Sequence, residues 1–168
     1  NDARNVCWSL IALVPALPAA AAEAPKVMWE KTFGGAEDDG FVALSALPDG
    51  GLAAAGWTAS KGAGSADACV LRLDAAGNLV WDRTFGGADW DGATALAALP
   101  DGGLAVAGRT DSKGAGGRDA WVLRLDAAGS VVWERTFGGV RGDKANALAV
   151  LPDGGLAVAG VTASKGAG

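Results

Sequence analysis

Three aspartates recur at one fixed spacing and are the side chains best placed for metal chemistry. Asp39, Asp91 and Asp143 lie 52 residues apart, each in a loop that contains glycine. Calcium requires several carboxylate and carbonyl oxygens around one ion, whereas a single loop aspartate commonly accepts hydrogen bonds from nearby backbone N–H groups. One aspartate per repeat, without a packed D-x-D-x-D loop, favours the backbone role and leaves calcium as the alternative. We expect no other cofactor.

The residues needed for catalysis by a familiar mechanism are not present. The chain contains no histidine, which excludes a Ser–His–Asp triad. The adjacent carboxylates Asp38 and Asp39 could do acid–base work, but Trp90 replaces Asp38 in the next repeat, so a repeated active site is absent. The segment SKGAG lacks the glycine and lysine spacing of a phosphate-binding loop. We therefore expect no catalytic residue here.

Four large polar or aromatic side chains interrupt the repetition and are the candidate ligand-binding residues: Trp57, Trp90, Arg109 and Arg118. Trp57 is matched by Arg109 and Val161 in the other repeats, and Trp90 is matched by Asp38 and Gly142. Variation of this kind predicts solvent-facing positions, and exposed tryptophan beside polar groups suits a sugar or protein contact. The alternative is incidental surface tryptophan that packs on a neighbouring loop.

All these candidates belong to a repeat of 52 residues. WEKTFGG opens residues 29–80, WDRTFGG opens 81–132, WERTFGG opens an incomplete copy at 133, and 37 of 52 positions are identical between the two full copies. The recurring Trp29, Trp81 and Trp133 are expected to be core residues. Asp74 and Asp126 open D-A-A-G segments and are expected to form turns. A period of this length indicates units that bury their faces against one another.

Each repeat contains four short apolar segments bounded by Gly, Pro or Asp, which predicts four strands joined by turns. Apolar residues occupy both faces of these strands, so each sheet needs a neighbour on each side. Radial stacking of four-stranded antiparallel blades meets that need, and we expect an all-β fold, an incomplete β-propeller. The expected parts are an outer strand at 28–35, blades at 41–87 and 93–139, and a partial blade at 145–168, together forming a domain over residues 23–168.

The segments LDAAGNLVW (73–81) and LDAAGSVVW (125–133) resemble the turn-and-tryptophan signature of quinoprotein-type propeller repeats. The resemblance implies that Trp29, Trp81 and Trp133 dock between adjacent blades, with Asp74 and Asp126 in the preceding turns. The usual threonine is missing, so the turn is one residue shorter. The cofactor-binding set of the quinone-dependent members cannot be placed, so no quinone is expected. The chain is also similar to exported bacterial and archaeal repeat arrays, and kelch repeats are a neighbouring possibility without their tyrosine.

Residues 1–22 differ in character from the repeats. Arg4 precedes an apolar run that ends in small residues at 20–22, which predicts a helical secretory signal peptide and a secreted or cell-envelope protein. An uncleaved membrane anchor is the alternative. Cys7 falls in this segment, and Cys69 is expected to fill an apolar core site. The net charge of −5 and the absence of a basic stripe argue against a nucleic-acid partner.

The sequence favours a non-enzymatic exported scaffold whose loop-rich rim binds a protein or a glycan. The alternative is a fragment of an extracytoplasmic propeller enzyme whose catalytic residues lie outside this chain. Because the arc of blades is incomplete, we expect further blades in a longer protein. We also expect the 168 residues alone to self-associate through open sheet edges.

Overall fold

The computed structural model describes residues 8–13 and 26–164, which form twelve β-strands and no helix. That part of the chain therefore contains no helix long and apolar enough to cross a membrane. In chain order the strands are β1 (Trp8–Leu13), β2 (Val27–Phe33), β3 (Asp39–Ala46), β4 (Leu52–Thr58), β5 (Asp67–Leu73), β6 (Leu79–Phe85), β7 (Asp91–Ala98), β8 (Leu104–Thr110), β9 (Asp119–Leu125), β10 (Val131–Phe137), β11 (Asp143–Val150) and β12 (Leu156–Thr162).

The strands form two complete sheets and two half-sheets. The complete sheets have the orders β3-β4-β5-β6 and β7-β8-β9-β10, and the half-sheets are β1-β2 and β11-β12. All of these pairings are antiparallel. The prediction of an all-β fold with four-stranded antiparallel sheets is confirmed. Each full sheet begins two residues before the predicted start, because Asp39 and Gly40 already pair with Thr58 and Trp57.

Two kinds of tight turn set the strand order within each repeat. In the Leu-Pro-Asp-Gly-Gly turn, Gly50 N–H donates to the Leu47 carbonyl at 3.0 Å, and Gly50 has a φ of 82°. In the Asp-Ala-Ala-Gly turn, Gly77 N–H donates to the Asp74 carbonyl at 3.0 Å. Asp74 also accepts from the backbone N–H of Asn78 at 2.8 Å. Both turns reverse the chain within a few residues, so consecutive strands pair.

Consecutive sheets pack face to face. Ala53, Val70 and other residues on one face of the β3–β6 sheet share a core cluster with Leu104, Val106 and Trp121 of the β7–β10 sheet. The opposite face of the β3–β6 sheet, which includes Ala54, Leu71 and Leu73, packs against Leu10, Trp29 and Phe33 of the β1–β2 half-sheet. At the other end, Ala145 of β11 packs against Ala107 and Val122. The β3–β6 sheet therefore has a packing partner on each face.

Two of the recurring tryptophans, Trp29 and Trp81, lie over the Asp-Ala-Ala-Gly turn of the next unit. Trp81 is 8% exposed, and its indole Nε1–H donates to the Ala127 carbonyl at 3.0 Å. A Cβ placed on Gly129 would lie 3.1 Å from the Trp81 ring, and one placed on Gly77 would lie 2.7 Å from the Trp29 ring. Trp133 is 37% exposed, since the described residues include no turn beyond it.

Residues 8–13 form a strand where the sequence predicted part of a signal-peptide helix. β1 runs antiparallel to β2 and supplies the hydrogen bonds that one edge of β2 lacks. Leu10 is buried against Leu71 and Leu73 of the adjacent sheet. A short apolar run suits a strand or a buried helix equally well by periodicity, so the available edge decides between them. The rest of the predicted signal peptide lies outside the described residues.

Candidate functional site

Five long loops, which follow β2, β4, β6, β8 and β10, lie at one edge of the sheets. They comprise residues 34–38, 59–66, 86–90, 111–118 and 138–142, and we call this side the long-loop edge. This placement of the loops follows from antiparallel pairing, because successive connections alternate between the two ends of the strands. The tight turns occupy the other edge. All four candidate ligand-binding residues fall at the long-loop edge.

Trp57, Trp90 and Arg109 meet in one group, which we call the indole–arginine cluster. The ring centroids of Trp57 and Trp90 are 6.4 Å apart with an interplanar angle of 42°. The Arg109 guanidinium carbon lies 3.8 Å from the Trp90 ring centroid, which is a close cation–π contact. All three side chains are half-buried. The cluster crosses the boundary between two sheets, since Trp57 is the second-to-last residue of β4 and Arg109 is the second-to-last residue of β8.

The backbone around Trp90 holds the cluster in place. Trp90 forms a parallel bridge with Ala66, and its carbonyl accepts from Asp111 N–H at 2.9 Å. Its indole lies against Gly92, where a Cβ would approach the ring to 2.3 Å. Because Gly92 has no side chain, the Trp90 indole can occupy this space. The tryptophan is fixed from both neighbouring sheets and is preorganised for contact.

Arg109 and the nearby Arg118 bring two positive charges to this part of the long-loop edge. Burial, together with the nearby charge of Arg118, lowers the pKa of the Arg109 guanidinium. Arg118 is exposed and pairs with Asp111 through its Nε at 3.2 Å. The Nε of Arg109 is buried and has no hydrogen-bond partner among the described residues. A buried donor without an acceptor is costly, and an anionic group placed beside these two guanidinium groups would lower that cost.

The aspartates proposed as calcium ligands lie on three different sheets, and the structure does not bring them together. Asp39, Asp91 and Asp143 begin β3, β7 and β11. Within the described ranges, no three His, Cys, Asp or Glu side chains group in a way that could hold a metal ion. Each aspartate accepts from a glycine N–H four residues earlier and from a serine hydroxyl in the next long loop. These bonds fix the loops to the strands.

Hydrogen bonding sets the pKa of two of these carboxylates. At Asp39, burial acts to raise the pKa, but hydrogen bonds from Thr58, Ser60 and Gly35 outweigh it and the pKa lies below the usual value of 3.8. At Asp143, hydrogen bonds from Ser164 and Thr162 lower the pKa to about 2. Both groups are therefore held in the ionised form.

The carboxylates of Asp67 and Asp91 approach each other across the boundary between two sheets. A Cβ on Gly86 would lie 2.0 Å from Asp67 Oδ1 and 2.7 Å from Asp91 Oδ2. The next boundary repeats this arrangement, with Gly138 beside Asp119 and Asp143. Burial and the charge of Asp91 raise the pKa of Asp67. The recurrence of a Gly-Gly pair before each aspartate is the signal that could have revealed this approach.

The opposite pKa shifts of Asp67 and Asp39 predict opposite effects of neutralising them. Because the folded-state pKa of Asp67 is raised, its ionisation disfavours folding at pH 7, and this cost disappears as the pH falls below 3.8. Asp67→Asn should raise the urea midpoint at pH 7 but have little effect at pH 3. Asp39→Asn is the matched control: its carboxylate stabilises the fold above 3.8, so its loss should cost about 1–3 kcal/mol at pH 7. Effects of equal sign at pH 7 would contradict the prediction.

The remaining candidate residues, Asp74, Asp126 and Cys69, have structural roles in turns or in the core. Asp74 and Asp126 accept backbone hydrogen bonds within their turns, at 2.8 Å from Asn78 N–H and from Ser130 N–H respectively. Cys69 is buried in β5, and that burial together with nearby Asp82 raises the pKa of its thiol to about 12. It is therefore unsuited to act as a nucleophile at neutral pH. The indole–arginine cluster is the strongest candidate for contact with a ligand.

Fold and site together define an all-β repeat protein with a preorganised surface cluster. No family model matches the chain. A search of characterised proteins found similarity to the regulatory protein FlaEY of Caulobacter vibrioides, 34% identical over 110 residues. The match covers 58% of this chain and 12% of FlaEY. The matched stretch is about as long as two of the 52-residue repeats, and it corresponds to a small part of FlaEY.

Proposed function

We propose that this chain is a non-enzymatic repeat scaffold of the β-propeller type that binds a glycan or protein through its long-loop edge. The propeller architecture is supported by face-to-face packing of successive four-stranded sheets, with Trp81 at their boundary. A non-catalytic role is supported by the absence of histidine from the sequence and by the loop-fixing bonds of the aspartates. The name of FlaEY describes a regulatory protein and states no reaction.

One observation carries the binding proposal: two indoles and a guanidinium from different sheets converge on the long-loop edge. Rigid aromatic rings give contact area at low entropic cost. Guanidinium groups bind carboxylates in a planar, bidentate manner. Of the two partner classes, an acidic glycan fits this combination best, since its rings can lie on the indoles while its carboxylates meet Arg109 and Arg118.

Location outside the cytoplasm stays a prediction from the composition of residues 1–22. Residues 8–13 of that segment form β1, and their neighbours on both sides are outside the described residues. The binding proposal does not depend on export. It depends on the loops at the boundary between the β3–β6 and β7–β10 sheets.

A binding experiment tests the proposal directly. The intact chain is titrated with polygalacturonate and with neutral dextran, and binding is followed by calorimetry. We expect binding of the acidic polymer that weakens about tenfold or more in Trp57→Ala, Trp90→Ala and Arg109→Gln, because each removes a contact of the cluster.

Trp133→Ala serves as the control for loss of a partly exposed tryptophan far from the cluster in sequence. Circular dichroism of each variant confirms that the sheets are intact. If no acidic or neutral glycan on a wider array binds, or if the three cluster variants bind as the unaltered chain does, the glycan proposal is wrong. Binding that tracks the cluster but requires a protein ligand would replace the glycan with the other partner class.

A further inference from the structure

One core position holds a large ring in the second complete unit and a small thiol in the first. Trp121 of β9 stands 52 residues after Cys69 of β5. The Trp121 indole is 1% exposed and belongs to the core cluster between the two complete sheets. Cys69 is buried as well, although its side chain is far smaller. The first unit must therefore fill, or leave open, the space that an indole occupies in the second.

The first unit leaves part of that space open. A cavity of about 180 Å³, which we call the Cys69 cavity, lies between the β3–β6 sheet and the end of β2. Phe41, which stands where the second unit has Ala93, lines the cavity and takes up part of the space. Its ring meets that of Phe33 edge to face, with the ring centroids 6.5 Å apart. An apolar cavity of about 150 Å³ can bind benzene, so the remaining volume admits a small aromatic ring system.

The wall of the Cys69 cavity repeats the surroundings of Trp121. Four side chains that contact Trp121 or share its core cluster have counterparts in the cavity wall, 52 residues earlier. The pairs are Lys113 with Lys61, Glu134 with Asp82, Leu123 with Leu71, and Phe85 with Phe33. The cavity therefore occupies, at the preceding sheet boundary, the position that the Trp121 indole fills.

The indole of Trp121 shows which polar contacts a ring makes in this position. Its Nε1–H donates to Glu134 Oε2 at 3.1 Å, and Lys113 Nζ lies 4.9 Å from the ring centroid. Lys113 and Glu134 also pair with each other at 2.8 Å. Lys61 and Asp82 form the corresponding ion pair beside the cavity, and their side chains are 51% and 38% exposed. A carboxylate acceptor and an ammonium group therefore stand at the solvent side of the Cys69 cavity.

We propose that the Cys69 cavity binds a small planar aromatic heterocycle that carries a ring N–H group, of which indole is the simplest example. The ring N–H donates to Asp82, the ring lies near the Lys61 ammonium, and its edges pack against Phe33 and Phe41. Removal of the ring from water and the cation–π contact both favour binding. The ligand is held without a covalent bond, because burial and nearby Asp82 raise the pKa of the Cys69 thiol to about 12.

The Cys69 cavity adjoins the indole–arginine cluster but is a separate site. Trp57 lines the cavity on one side and stacks with Trp90 on the other. The groups that would recognise the heterocycle, Lys61 and Asp82, take no part in the cluster. This proposal therefore goes beyond the binding of a glycan or protein and does not depend on it.

Titration of the unaltered chain with methylated indoles tests the hydrogen bond to Asp82. We expect calorimetry to show one indole bound per chain, and 1-methylindole should bind at least about tenfold more weakly because it lacks the N–H donor. 3-Methylindole is the matched control, since it has the same added carbon and keeps the N–H. Indole should also raise the urea midpoint, because it binds the folded state. Absence of saturable indole binding, or equal affinities for the two methylindoles, would overturn the proposal.

Filling the cavity tests its location. Cys69→Trp combined with Phe41→Ala gives the first unit the residues that the second unit has at both positions, Trp121 and Ala93. This double variant should fold, as urea denaturation will show, and should lose both indole binding and the rise in urea midpoint. Cys69→Ala is the control, because it leaves the cavity open and should retain binding. Undiminished binding by the double variant, or equal loss of binding in Cys69→Ala, would overturn the proposal, and the methylindole comparison decides independently of either variant.

Discussion

Replacing Trp81 by alanine should lower the free energy of unfolding by about 3–5 kcal/mol, the usual cost of deleting a large buried aromatic side chain. Trp81 is 8% exposed and belongs to the cluster shared by the two complete sheets. Its indole N–H bonds to Ala127 in the turn of the following sheet, so the substitution removes apolar contact and a hydrogen bond together. The measurement is the urea denaturation midpoint and slope at neutral pH.

Trp133→Ala supplies the matched control, since the two residues occupy the same position in successive repeats. Trp133 is 37% exposed and reaches no following turn in the described part of the chain. Its replacement should cost no more than about 1 kcal/mol. Similar losses for the two variants would show that Trp81 does not join the sheets, and the docking role inferred from sequence would then be wrong.

Turn residues and the pattern of apolar residues were sufficient to predict most of the strands. Gly50 and Gly77 adopt positive φ in turns that the Pro-Asp-Gly and Asp-Ala-Ala-Gly segments already indicated. Apolar residues on both faces of β4, such as Ala53 and Ala54, indicated that a sheet would be covered on each side, and they lie in two different core clusters. These features depend on residues close together in the chain, which a single sequence displays.

β1 was not predictable in the same way. The apolar run at 8–13 satisfies the composition of a signal peptide and of a strand, and no D-A-A-G segment precedes β2 at the repeat spacing. Its strand state depends on the free edge of β2 and on the apolar surface around Leu71. Both are supplied by residues 14 or more positions away, so local patterning had no access to them.

The candidate site was predictable in its members but not in its contacts. Departure from the repeat singled out Trp57, Trp90 and Arg109 as residues of the long-loop edge. Their stacking depends on how two sheets pack and on the space above Gly92, neither of which is encoded in one strand. The approach of Asp67 to Asp91 was missed for the same reason, because it arises only where one sheet meets the next.

Gly108→Ala should also be strongly destabilising, by about 3 kcal/mol, the upper part of the range for overpacking a close-packed site. Gly108 of β8 pairs with Ala93 beside the register shift in β7, and a Cβ at 108 would lie 2.0 Å from the Gly92 carbonyl oxygen. That atom belongs to the backbone, so relief requires the strands to separate and weakens their hydrogen bonds. Gly142→Ala is the control, because no atom lies within 4 Å of a Cβ there, and its effect should stay within about 0.5 kcal/mol. Urea denaturation of both variants decides the matter: a Gly108→Ala chain as stable as the Gly142→Ala chain would mean that the strands are not held this closely at the bulge.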